Sequence, residues 1–111
     1  MSVVAERPYG LPREAIGRIR DVLDGHPAIL GCVLYGSRAL GNYRKGSDID
    51  LCLDAPAMSL AELLKIENEI DDLLLPWKVD LTVRQRIDNT ALLDHIDRVG
   101  VPFSVPSDGC H

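Results

Sequence analysis

The chain has 111 residues, 46% of them hydrophobic and 26% charged, which supplies a core for one domain and leaves no length for a second. A formal net charge of −5 and a pI near 5.0 exclude a protein that holds nucleic acid by its general surface, because neutralising phosphates takes basic clusters. Cys32, Cys52 and Cys110 fit neither a disulfide framework nor a zinc site, and with no signal peptide or run of roughly 20 apolar residues the expectation is a soluble, cytoplasmic protein with no membrane partner.

Residues 1–10 read as a flexible lead-in, and residues 12–25 predict a helix. Proline stands in its first turn, Ile16, Ile19, Val22 and Leu23 recur at helical spacing, and Gly25 with Pro27 stops it. Gly17 inside it costs about 1 kcal/mol against alanine. Residues 29–35 form an apolar, β-branched run of strand length that ends abruptly at Gly36-Ser37. Gly36 lets the backbone come close to a ligand, Ser37 reads as an N-cap, and Arg38-Ala39-Leu40 makes one helical turn before Gly41 ends it. Free amides at such a helix start bind phosphate.

Residues 42–46 form a polar loop whose Arg44 and Lys45 read either as a solvated turn or as a triphosphate contact. Residues 48–53 then alternate polar or small with aliphatic, as a strand with one buried face does. That alternation puts Cys52 on the same face as the aspartates, where it reads as a small filler. Residues 59–75 predict the clearest helix, with Ser59 and Glu62 in capping-box relation and Leu60, Leu63, Ile66, Ile70, Leu73 and Leu74 on one side. Pro76 ends it, and Trp77 is either a core-edge anchor or a platform for a base. Residues 78–83 repeat the alternating pattern, and Arg84-Gln85-Arg86 reads as an exposed loop or a contact to substrate or partner. Residues 88–99 predict a last helix, in which His95 near the C-terminus reads as structural. Residues 101–105 suit an edge strand that tolerates Pro102, and the tail beyond 105 should fray.

The chemistry lies in the acids. Asp48 and Asp50 point the same way from one strand, and unpaired they would repel each other, so a bound cation is the natural compensation. Asp80 stands between aliphatics on a second short strand. Laid beside the first, it completes a face of three carboxylates able to straddle two divalent ions roughly 3.5–4 Å apart.

Gly-Ser-x-x-x-Gly, then Ser-Asp-x-Asp-Leu, then a lone aspartate on a later strand resembles the DNA polymerase β-like nucleotidyltransferase superfamily, in its minimal nucleotidyltransferase (MNT) branch. The proline-tryptophan before the third aspartate strand is also similar to small stand-alone members. The resemblance implies an α/β fold over residues 11–105, between flexible termini at 1–10 and 106–111. Its small mixed sheet would carry helices on one face and the carboxylate site on the other. Carried over by position, Gly36, Ser37 and Arg38 would bind the nucleotide, and Asp48, Asp50 and Asp80 would be the catalytic residues and hold two Mg2+ ions with it. Family turns often carry a basic residue where this chain has Leu40; Arg38, Arg44 or Lys45 would supply that contact.

The activity implied is transfer of AMP from ATP to a hydroxyl, with release of pyrophosphate. In MNT antitoxins the acceptor is a tyrosine of a HEPN-type helical toxin encoded beside them, which implies a hetero-oligomer. A non-catalytic antitoxin that only binds its partner, and a small-molecule nucleotidyltransferase, are the alternatives. So small a core leaves little surface for base or acceptor, so a second polypeptide is expected to complete the site.

Overall fold

A computed structural model describes residues 8–103. In chain order these give α1 (Arg13–Asp24), β1 (Gly31–Tyr35), α2 (Ser37–Leu40), β2 (Ile49–Asp54), α3 (Leu60–Asp71), β3 (Val79–Val83), α4 (Thr90–Val99) and β4 (Val101–Pro102), with 3-10 turns at Pro8–Gly10 and Arg84–Arg86. The sheet order is β3-β2-β1-β4. β2 and β3 run parallel, while β1 is antiparallel to both β2 and β4, so the sheet is small and mixed, as expected.

Alternation sorts the strands into two faces. Leu34, Leu51 and Leu81 stand in register across three strands, all buried, and with Cys32, Ile49, Leu53 and Val83 they meet Ile16, Ile19 and Leu23 of α1 and Ile66 and Ile70 of α3. Each such side chain contributes about 1.5–3 kcal/mol on burial. Cys32, inside this core, has its thiol pushed up to about 12 by burial, so it is an inert filler rather than a nucleophile.

Several elements differ from expectation for local reasons. Residues 8–10 belong to the domain: Tyr9 stacks on Phe103 with ring centroids 6.1 Å apart, and its hydroxyl donates to Pro102 O at 2.8 Å. α3 is capped by Ser59, whose Oγ accepts from Glu62 N, but it stops at Asp71. Leu74 beyond it takes a positive φ of 56° and is 86% exposed, and Leu60 faces solvent as well. The expected edge strand is present as β4, and Phe103 N still donates to Cys32 O. Residues 1–7 and 104–111 lie outside the described residues, and with them most of the flexible termini expected at 1–10 and 106–111 and the last two residues of the strand expected over 101–105.

His26, which no motif marked, joins the two back-face helices. Its Nδ1 is 3.0 Å from a Glu62 oxygen and its Nε2 2.8 Å from a Glu69 oxygen. Two carboxylates facing both ring nitrogens require both to donate, so the imidazolium is favoured, and chiefly through the Glu69 bond its pKa is raised above 6.5. A raised pKa means the stabilisation is complete below the unfolded value and is lost as pH rises through the folded one. His26→Ala is therefore expected to cost about 1–2 kcal/mol near pH 6, allowing for half-exposed glutamates. Urea denaturation should show that cost shrinking at pH 9; an equal cost at both pH values would mean the clamp is uncharged.

Candidate active site

β1 delivers its last residue, Tyr35, and the chain turns at once. Gly36 adopts φ 78° and ψ −156°, a conformation only glycine takes without strain. A Cβ there would also lie 2.5 Å from Asp50 Oδ2, so the turn and this carboxylate are packed with no room for a side chain. Ser37 was expected as the cap of the short helix; Gly36 fills that position, its carbonyl accepting from Ala39 N and Leu40 N. Ser37 becomes the first helical residue. Gly41 closes the turn at φ 87°.

The acid positions follow from register. Asp50 pairs with Asp80 across the parallel β2/β3 ladder and with Tyr35 across the antiparallel β1/β2 ladder, which puts all three on the face away from the core, in one row about 4.8 Å apart strand to strand. Asp48 precedes β2 by one residue and is exposed, as is Asp80; Asp50 is half-buried. Among the described residues no hydrogen bond or ion pair engages the three carboxylates. The Asp50 pKa is raised by burial first, then by the charges of Asp80 and Asp48, and is partly offset by His95. Ionised together, the acids need a cation.

That is the test a divalent metal must pass, and the donors fit it: hard oxygen ligands that no salt bridge or hydrogen bond among the described residues engages, with Asp50 packed against a glycine turn. No three His, Cys, Asp or Glu side chains among the described residues close around one point, so the cluster is an open platform rather than a cage.

Arg38 has a structural role that its expected nucleotide contact did not include. It is 2% exposed, and its guanidinium donates to Ser47 O from Nε and Nη2 (3.1 and 2.9 Å), to Tyr9 O (2.8 Å) and to Lys45 O (3.4 Å). It also lies against the Tyr43 ring. These donors brace the loop that leads into Asp48. A cavity of about 550 Å³ beside it is lined by Tyr43, Lys45 and Trp77, among others, and by none of the three acids. Trp77 is half-buried against the core, in keeping with an anchor. The 84–86 turn is also structural: Gln85 bonds Ala55 N and Asp54, and Arg86 bonds Met58 O.

Sequence reasoning missed α4 at the site. His95 meets Tyr35 edge-on, ring centroids 6.2 Å apart at 82°, and a Cβ on Gly100 would lie 3.3 Å from Val33 Cγ2. Tyr35 and Val33 are on the carboxylate face. Hence α1 and α3 cover the back as expected, while α4 lies on the front beside the acids; Ile96 beneath it is 2% exposed. Cys52, filler as expected, is buried there too.

The family model described as "Polymerase beta, Nucleotidyltransferase" matches residues 17–104. Among solved structures, the chain is similar to a toxin–antitoxin crystallised with AMP-PNP (21% identity, TM-score 0.66, covering 83% of this chain and 74% of that one). It is similar also to the MntA-HepT toxin–antitoxin (18%, 0.61, 86% and 74%). A putative nucleotidyltransferase from Sulfolobus solfataricus shares the fold more distantly (20%, 0.51, 80% and 75%). No curated protein matches the sequence.

Proposed function

The chain belongs to the polymerase β nucleotidyltransferase family, and on that premise we propose that it transfers AMP from ATP to a hydroxyl of a HEPN-type helical partner, a tyrosine, as the antitoxin of a two-component system. The observation that carries this is the registered row of Asp50 and Asp80 against the side-chain-free Gly36 turn. The toxin–antitoxin neighbours, one of them with AMP-PNP, support the nucleotide and the kind of partner.

In this reading the Gly36-Ser37 turn receives the triphosphate through amides at the helix start and the Ser37 hydroxyl. Asp48, Asp50 and Asp80 would hold two magnesium ions, which neutralise phosphate charge and act as Lewis acids. Asp80, exposed on the outermost strand, lies where an acceptor can approach, and its carboxylate takes the proton as the hydroxyl oxygen attacks the α-phosphorus. The bond to the pyrophosphate oxygen breaks, and pyrophosphate leaves.

Calorimetry tests the binding half. ATP is expected to bind with magnesium and to lose at least tenfold in affinity when magnesium is removed or when Asp48→Asn and Asp50→Asn are combined. Unchanged affinity in either case would exclude a metal-bridged triphosphate.

A further inference from the structure

Tyr35 reaches further than its strand. Although Cα-paired with Asp50 on β2, its hydroxyl lies 3.3 Å from Thr82 Oγ1 on β3, so the ring crosses β2 immediately beside the Asp50 carboxylate and ends two residues from Asp80. It is the residue before Gly36 as well. One ring thus borders the phosphate turn, the central acid and the strand of the acceptor-side acid. A hydrogen bond of 3.3 Å at its tip is a weak tether, and among the described residues the aromatic partner of the ring is His95, edge-on from α4. α4 is itself tied down at its C-terminal end: Asp97 Oδ1 is 2.8 Å from Nη1 of Arg84, the residue after β3, and the cap residue Gly100 seats against Val33 on β1.

We propose that His95 is a positioning residue for the AMP transfer proposed above: by packing against Tyr35 it holds that ring as the wall that fixes the Asp50 carboxylate in its reactive orientation. The inference rests on the nucleotidyltransferase reading. The flat ring matters here, because only a planar side chain reproduces the edge-on contact, whereas a flexible side chain of similar reach does not. Misplacing a reacting group by about 1 Å costs on the order of 100-fold in rate.

The test compares His95→Ala, His95→Gln and His95→Phe with wild type. Turnover is followed by pyrophosphate release from magnesium-ATP with the co-purified helical protein encoded beside the chain. His95→Ala and His95→Gln should lower kcat by on the order of tenfold or more while KM for ATP stays within about twofold, and His95→Phe should restore kcat to within about threefold of wild type. Tyr35→Leu should lose as much as His95→Ala, and the double variant no more than either, since both remove one wall. Independently of activity, NMR of ring-labelled tyrosine should show the Tyr35 signals averaged by ring motion in His95→Ala and unaveraged in His95→Phe. Full kcat in His95→Ala or His95→Gln, a loss that appears in KM instead, or an unchanged Tyr35 ring overturns the inference. Wild type that releases no pyrophosphate removes the transfer reading, and this inference with it.

Discussion

Asp80→Asn is expected to abolish nucleotidyl transfer, by roughly a thousandfold or more, about 4 kcal/mol of transition-state stabilisation, while leaving triphosphate affinity within a few-fold of wild type. The two effects separate because the proposed site puts the triphosphate on the Gly36, Ser37 and Asp48/Asp50 side, whereas Asp80 stands on the outer strand, exposed and with no side-chain bond of its own among the described residues. Asparagine keeps the shape and removes both the charge and the proton acceptor. The fold should not suffer, because losing that charge relieves the repulsion that helps raise the Asp50 pKa. Stopped-flow turnover beside calorimetry checks it: equal activity in the variant would detach Asp80 from the chemistry, and a parallel loss of binding would move it to the phosphate side.

Arg38→Ala should be the most destabilising single substitution of a residue near the site. It strips donors from the carbonyls of Ser47, Tyr9 and Lys45 and leaves a void at a position 2% exposed. Orphaned buried carbonyls and lost packing together put the cost at about 3–5 kcal/mol. Lysine would not repair it, since an ammonium lacks the planar fork that reaches three carbonyls at once. Urea denaturation is expected to show the full loss in Arg38→Lys to within about 1–2 kcal/mol of Arg38→Ala. Because Ser47 precedes Asp48, activity should fall with stability. A variant as stable as wild type would show that other contacts hold the loop.

The legible parts of this protein were those governed by period and punctuation. Alternation in residues 48–53 and 78–83 placed the acids on one face and Leu51, Leu53, Leu81 and Val83 on the other, and the register then put Asp80 beside Asp50. Glycine marked the turn after β1 because a positive φ leaves few other choices. Less legible was anything that depends on a distant partner. Arg38 has the residue type of a phosphate contact, and only the return of the loop to Ser47 and of residue 9 to its side turns it into a brace. His26 meets two glutamates 36 and 43 positions away, which no local pattern encodes. His95 looked like a helix-terminal histidine because helical spacing fixes a face, not which side of a sheet that face meets; the crossing of α4 from β3 to β4 at the opposite edge of the sheet decides that. Leu74 was assigned to an apolar stripe that the helix, ending at Asp71, never reaches.

The central claim, AMP transfer to a protein hydroxyl from a platform of three carboxylates, is tested most directly by intact-mass and peptide mass spectrometry. The chain is incubated with magnesium, ATP and a HEPN-type helical protein of the proposed kind. The expected result is a partner heavier by one or more AMP groups, each mapped to a tyrosine, with none on partner incubated with Asp80→Asn. A tight complex in which the partner keeps its unmodified mass under magnesium and manganese alike would contradict it and leave an antitoxin that acts by binding.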